Sequence, residues 1–218
     1  KEFSGSGFAG KPKGFHVYLL KGSIMKKICI FGSSSAAIGQ SYFDAAYRLG
    51  QLLAEKGWAM VFGAGTMGMM GAAARGAHSR NGHVIGVIPE FMDIPGIPYE
   101  KCNDYIVTET MRERKQRMED ISDAFIAVAG GFGTFEELCE VITLKQLKQH
   151  KKSIVILNTN GFFDELLAMF EKMVAQKFAK EEAFSVFTVV DTPRQAVEAV
   201  EKYHYTETSS KWFTPEAP

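Results

Sequence analysis

The chain lacks an excess of charge of either sign. Its 218 residues include 25 Lys and Arg and 25 Asp and Glu, so the formal net charge is zero. Domains that bind nucleic acid or anionic membrane surfaces usually carry a basic excess. The charge balance therefore argues against both partners, and it indicates that any bound phosphate is small and held locally.

Cysteine is scarce, and long apolar runs are missing. The three cysteines, Cys29, Cys102 and Cys139, are far apart, and no CxxC pair or Cys/His cluster accompanies them. This pattern fits a reducing compartment, which we expect to be the cytoplasm, and it predicts neither a metal site nor a cofactor. No apolar run reaches the roughly 20 residues that a membrane helix requires, so we expect no membrane partner.

What the sequence does contain is a regular alternation of short strands and amphipathic helices. Apolar runs rich in Val, Ile and Phe, such as residues 27–31 and 153–157, alternate with helical patterns from Met25 onward. This alternation is typical of a parallel sheet covered on both faces. We therefore predict an α/β fold: a single doubly wound, Rossmann-like domain over residues 25–205 with helices on both faces.

The two ends of the chain do not follow this pattern. Residues 1–24 are rich in Gly, Ser and Lys, and they show neither helical nor strand periodicity. We interpret them as a leader added for expression before a native start at Met25, with a disordered native tail as the alternative. Residues 206–218 form a C-terminal tail whose Trp212 and Phe213 are expected to dock on the domain or on a neighbouring subunit.

Three turns of small residues follow predicted strands, beginning at Gly32, Gly63 and Gly130. The carboxyl ends of parallel strands share one edge of the sheet, and ligands bind there at the switch in strand order. The third turn opens a helix, so bare backbone amides and the positive end of a helix dipole would meet a phosphate. The alternative for this segment is structural, because Thr134 and Glu137 also have the spacing of a capping box.

An arginine is predicted to face inward beside these turns. On a helix, Arg114 shares one apolar stripe with Met111 and Met118, whereas Arg112 and Arg117 fall elsewhere. A buried guanidinium needs a carboxylate or phosphate partner. The alternative is an arginine that extends along the stripe to reach solvent.

A glutamate on the next helix is the matching candidate. Glu137 shares a face with Val141 and Leu144, while Glu136 and Glu140 fall on another face that we expect to be solvated. Glu137 and Arg114 flank one strand near the glycine edge. We therefore predict that their side chains converge beside a phosphate cradle.

Several motifs now resemble the LONELY GUY family of cytokinin-activating phosphoribohydrolases, formerly described as lysine decarboxylases. Residues 130–137 resemble the family motif PGGxGTxxE, residues 111–115 its MxxRK element, and residues 63–71 its GGGxxGLMG turn. The resemblance extends from about Met25 to Glu181. The departures from the family pattern affect substrate preference rather than charged groups: Ala129 for proline, Ala64 for glycine, Met69 for leucine and Leu144 where tryptophan is frequent.

The resemblance implies an activity and a set of site residues. It implies hydrolysis of the N-glycosidic bond of an adenosine 5′-monophosphate, with or without an N6 substituent, by a homodimer without a cofactor. Such a reaction needs a grip on the phosphate and a carboxylate near the sugar. Arg114 and Glu137 are the implied catalytic residues. The predicted substrate contacts are Gly32, Ser33, Lys115, Gly130, Gly131, Gly133, Thr134, Glu136 and Thr143.

Two other functions fit the same fold. A nucleotide-sensing or carrier module would bind a nucleotide without turnover, although the predicted pair of Arg114 and Glu137 argues against it. An amino-acid decarboxylase would need pyridoxal phosphate on a lysine, and no sequence feature singles out such a lysine.

Overall fold

A computed structural model describes residues 25–207, so the predicted leader and most of the predicted C-terminal tail, including Trp212 and Phe213, lie outside the described residues. Within residues 25–207 the fold has thirteen helices and strands. In chain order they are β1 (Lys27–Phe31), α1 (Gln40–Glu55), β2 (Ala59–Phe62), α2 (Gly68–His78), β3 (Val84–Pro89), β4 (Asp104–Thr108), α3 (Met111–Ile121), β5 (Ala124–Ala127), α4 (Phe132–Gln146), β6 (Ser153–Leu157), α5 (Asp164–Ala175), β7 (Thr188–Val190) and α6 (Pro193–Lys202). Short 3₁₀ segments lie at Glu90–Met92, Thr159–Gly161 and Glu181–Val186.

All seven strands pair in parallel in the order β4-β3-β2-β1-β5-β6-β7. The chain runs outward from β1 to β4 and then returns past β1 to start β5. The direction therefore reverses between β1 and β5, whose register pairs Ile30 with Ile126. This order confirms the predicted doubly wound α/β fold and puts the switch point between two of the glycine turns.

The core has two layers, one on each face of the sheet. Alternate residues of a strand point to opposite faces, so Ile28 and Ile30 pack with α1, α2 and α6, whereas Cys29 and Phe31 pack with α3, α4 and α5. The central strands are buried on both faces, which explains their continuous apolar runs. As a result α3 and α4 lie on the same face of the sheet, where α3 packs against β3, β4 and β1, and α4 packs against β1.

The start of α4 differs from the capping-box alternative. The helix begins at Phe132, and its N-cap is Gly131, which makes no side-chain cap hydrogen bond. Thr134 is the third helical residue, so the proposed Thr134–Glu137 capping box is wrong. A capping box does open α3, where Thr110 accepts from the Glu113 amide and the Glu113 carboxylate accepts from the Thr110 amide.

Within residues 25–207, no helix is both long and apolar enough to cross a membrane.

Candidate active site

The turns after β1 and β5 meet at the switch point. The Ser33 amide donates to the Ala129 carbonyl at 3.0 Å, and the Ser33 carbonyl accepts from the Met69 amide at the start of α2 at 2.9 Å. Gly130 lies in the narrowest place, because a Cβ atom there would be 2.1 Å from Thr134 Oγ1 and 2.9 Å from the Ser33 amide. The structure thus brings together predicted contacts from both turns: Gly32, Ser33, Gly130 and Thr134.

The first turn of α4 forms an open cradle of amides. Gly131 caps the helix without a side-chain partner, and a Cβ at Gly131 or Gly133 would meet nothing within 4 Å. The first amides of a helix have no intrahelical acceptor, and the helix dipole makes this end positive. An anionic group can therefore approach the backbone here, as the sequence predicts for a phosphate.

Arg114 is fixed from several sides. Its Nε donates to the Val87 carbonyl at 3.2 Å, and its Nη1 donates to Met111 Sδ at 3.2 Å. Its Nη2 lies so close to Gly63 that a Cβ atom there would be 1.6 Å away. The residue is only 8% exposed, so the alternative of a side chain that reaches solvent is wrong.

Glu137 completes the pair that the sequence predicts. Glu137 Oε1 is 3.5 Å from Arg114 Nη1, and Glu137 is also 8% exposed. Burial raises the pKa of the Glu137 carboxyl to about 7, while Arg114 opposes this rise. Both protonation states are therefore populated near neutral pH, which is the range in which a catalytic carboxyl group is most useful.

A cluster of ion pairs around Lys115 lies next to the Arg114–Glu137 pair. Lys115 Nζ lies 2.7 Å from Glu136 Oε1 and 2.8 Å from Glu140 Oε2. Burial lowers the pKa of Lys115, but its hydrogen bonds with the two carboxylates offset this, and the net shift is upward. Glu136 and Glu140 lie on the solvated face that the sequence predicts, with side chains 62% and 37% exposed, and both also pair with a lysine of the neighbouring helix. Substrate contacts by Lys115 and Glu136 stay predictions.

Thr143 stands apart from the other predicted contacts. It lies on an exposed position of α4, nine residues after Thr134, which corresponds to roughly 14 Å along a helix at 1.5 Å per residue. Its place at the edge of the substrate site stays a prediction.

The sequence does not reveal every contact that builds the site. The Val87 carbonyl and the Met111 thioether hold the guanidinium, and only Met111 gave a signal, through its i,i+3 spacing to Arg114. The sequence pattern also did not predict that Lys145 is buried. It is buried, its Nζ donates to the Val186 carbonyl at 2.6 Å, and burial lowers its pKa to about 8.

Metal chemistry receives no support from the side chains that the structure describes. Within this part of the chain, no three His, Cys, Asp or Glu residues form a group that could hold a metal ion.

Comparison with known proteins shows the family. The family model described as "Possible lysine decarboxylase" matches residues 70–200. A cytokinin riboside 5′-monophosphate phosphoribohydrolase of Arabidopsis thaliana is 38% identical over 181 residues, 83% of this chain and 85% of that protein. The chain belongs to this LONELY GUY family. Another member, from Oryza sativa subsp. japonica, is 39% identical over 83% of this chain and 75% of its own length.

A solved structure is similar in fold. The molybdenum cofactor carrier protein of Chlamydomonas reinhardtii superimposes with a TM-score of 0.64 at 25% identity, over 82% of this chain and 97% of that one. The same architecture is therefore used by LONELY GUY proteins named as hydrolases and by a protein named as a carrier.

Proposed function

We propose that this LONELY GUY protein is a phosphoribohydrolase that cleaves the N-glycosidic bond of a nucleoside 5′-monophosphate. The observation that carries the proposal is the buried pair of Arg114 and Glu137, 3.5 Å apart, beside the open first turn of α4. The names of the curated relatives support the same activity.

The 5′-phosphate is held by the amide cradle in this proposal. Gly130, Gly131, Gly133 and Thr134 line the first turn of α4, and Gly32 and Ser33 line the facing turn. A phosphate fixed at the helix N-terminus orients the ribose toward the Arg114–Glu137 pair. This grip explains why a monophosphate, rather than a free nucleoside, would be the substrate.

Glu137 acts as a carboxylate in the reaction. The bond between ribose C1′ and the base nitrogen breaks, a bond between C1′ and the water oxygen forms, and the water protons end on the base and on the sugar hydroxyl. An ionised carboxylate stabilises the oxocarbenium-like transition state or orients the water. Arg114 orients Glu137 or holds the substrate, and its contact with Glu137 is compatible with either role.

The substrate is proposed to be adenosine 5′-monophosphate or an N6-modified form of it. The relatives' names support the modified form, because they specify cytokinin riboside 5′-monophosphates. We also propose a cytoplasmic homodimer. Free cysteines throughout the described residues fit the location. The exposed Phe132 and Phe135 beside the cradle fit a subunit contact.

A substrate panel tests the proposal. The purified protein is incubated with AMP, N6-isopentenyl-AMP and the matching nucleosides, and free base is separated by chromatography. We expect base release from the monophosphates and at least about 100-fold less from the nucleosides, because they cannot use the phosphate grip. Release of base at equal rates from the nucleosides would contradict the role of the cradle.

A carrier module is the second candidate, because the solved carrier structure shares the fold at 25% identity. This function predicts tight binding of a nucleotide, measured by calorimetry, with no release of base in the same sample. The buried carboxyl of Glu137, with a pKa of about 7, favours the hydrolase.

Decarboxylation is less well supported by the position of the lysines. A Schiff base with pyridoxal phosphate requires a lysine beside the phosphate site. The buried Lys145 has a pKa lowered to about 8, yet it follows Glu137 by eight residues, which corresponds to roughly 12 Å along α4. The lysine that could be deprotonated most easily is thus far from the cradle.

A further inference from the structure

Lys115 lies next to the catalytic pair but contacts neither member of it. Its ammonium group is held between Glu136 and Glu140 at 2.7 and 2.8 Å, and its side chain is only 12% exposed. The contact with Glu136 is a charge-assisted hydrogen bond, and the contact with Glu140 is an ion pair. A substrate phosphate would have to compete with these two carboxylates for Lys115.

The three residues connect the two helices that supply the pair. Arg114 and Lys115 are adjacent on α3, while Glu136, Glu137 and Glu140 lie within two turns of α4. Met118 of α3 and Leu138 of α4 belong to the same buried apolar cluster, and apolar burial is non-directional. The hydrogen bond from Lys115 to Glu136 is directional, and the ion pair with Glu140 adds a second link, so together they can fix the position of Arg114 relative to Glu137 in a way that apolar burial cannot.

We infer that Lys115, Glu136 and Glu140 form a positioning clamp that holds α3 and α4 in the register in which Arg114 meets Glu137. This inference rests on the proposed function and assigns Lys115 to the control of the catalytic pair, rather than to the substrate. Lys115 is thus a positioning residue that acts through Glu137.

The clamp also places charges around the Glu137 carboxyl group. The charged and titratable groups that influence Glu137 come from α3, α4 and β1: Arg114, Lys115, Glu136, Glu140 and Cys29. Arg114 and Lys115 lower the pKa of Glu137, while Glu136 and Glu140 raise it. Removing the charge of Lys115 should therefore raise the pKa of Glu137. Removing the charge of Glu136 or Glu140 should lower it.

Two substitutions test the clamp with opposite expected shifts. In Lys115→Met, kcat should fall about tenfold or more, because small misplacements of reacting groups are costly, while the KM for AMP changes less than about threefold. The acid limb of the pH–rate profile should move to higher pH. In Glu140→Gln, the acid limb of the pH–rate profile should move to lower pH, because Glu140 raises the pKa of Glu137. Lys148→Met is the control, because it also removes a Lys–Glu ion pair, the one between Lys148 and Glu207 just beyond the far end of α4. It should leave kcat, KM and the acid limb of the pH–rate profile unchanged.

Two measurements without turnover separate this inference from the proposed function. The titration of Glu137, followed by ¹³C NMR of the glutamate carboxyl carbons, should show the same opposite shifts even if no substrate is hydrolysed. Calorimetry with ribose 5-phosphate should give Lys115→Met and the wild type the same affinity within about threefold.

The inference fails if Lys115→Met weakens ribose 5-phosphate binding about tenfold or more while the titration of Glu137 stays in place. That result would make Lys115 a phosphate contact. It also fails if both substitutions move the titration in the same direction, because the clamp requires opposite charges to have opposite effects.

Discussion

At the scale of single residues, the site depends on a glutamate that is kept partly protonated. Glu137 is buried, and burial is the largest cause of its raised pKa, which the neighbouring Arg114 only partly offsets. A carboxyl group on a solvated helix face would be fully ionised well below neutral pH. The inward direction of this side chain therefore raises its pKa into the neutral range, where the proposed reaction would depend on pH.

The pH dependence of the reaction follows from this pKa. Because Glu137 acts as a carboxylate, kcat/KM should rise with pH as the group loses its proton, with a midpoint of about 7. The rate should change about tenfold per pH unit below the midpoint. Initial rates of base release from pH 5 to 8.5 measure the profile. A rate that falls as pH rises through 7 would mean that Glu137 is the acid instead.

The directions of Arg114 and Glu137 could be predicted from helical periodicity, because both share a stripe with apolar neighbours. The groups that surround these two side chains could not be predicted in this way. The Val87 carbonyl belongs to β3, and the Lys115 pairs span two helices, so both depend on tertiary packing that no local pattern specifies. Sequence spacing accordingly identified which residues face inward, and it left open what each one touches.

At the scale of elements, the glycine turns place backbone atoms where side chains would block the site. Gly63 leaves room for the Arg114 guanidinium, and Gly133 leaves the first turn of α4 open. Ala64, where the family has glycine, adopts a φ of 57° in the left-handed region. The turn keeps the backbone shape that a glycine would favour, although the residue type has changed.

Two glycine substitutions should separate these roles. Gly63→Ala should lower kcat about 100-fold, because its Cβ would displace Arg114 Nη2. Gly133→Ala should fold at least as well as the wild type, because alanine favours helix by about 1 kcal/mol over glycine, but its methyl group should raise the KM for AMP. Steady-state kinetics and thermal unfolding measure both. Unchanged kinetics in Gly133→Ala would show that substrate does not approach this turn.

The order of strands and helices was predictable from alternating apolar patterns. The start of α4 was not, and the difference has a physical cause. The capping-box pattern suggested Thr134 as the cap of α4, but the helix starts earlier, with a glycine cap. A start that keeps its amides unpaired is unfavourable in isolation and useful for binding an anion. Local rules fail here at the turn that the proposed phosphate site would use.

At the scale of the whole molecule, the parallel sheet assembles the site from distant parts of the chain. The strand order puts β1 next to β5, so turns almost 100 residues apart in sequence meet at Ser33 and Ala129. The sequence predicted that all three turns share one edge, since all follow parallel strands. It did not predict the strand order, because pairing is decided by packing between whole elements.

The buried carboxyl should make the stability of the whole fold depend on pH. The folded-state pKa of Glu137 is raised from 4.5 to about 7, so its contribution to stability is fully present below 4.5 and is lost as pH rises through 7. The loss between these limits is about 3 kcal/mol at most. Glu137→Gln should lack this part of the pH dependence.

Urea denaturation of both proteins at pH 5 and pH 7.5 measures the effect. The wild type should lose more stability than Glu137→Gln between these two values, since other titrating groups are common to both and cancel. Identical losses would mean that Glu137 titrates in the folded protein near its ordinary value.

The most direct test of the account is a single-turnover experiment with N6-isopentenyl-AMP and excess protein, for which binding is confirmed separately by calorimetry. The wild type should release the free base. Glu137→Gln should bind the nucleotide, and both Glu137→Gln and Arg114→Ala should remain folded, yet both should release base at least about 100-fold more slowly. Base release at the wild-type rate by folded Glu137→Gln would contradict the claim that this buried pair carries out the hydrolysis.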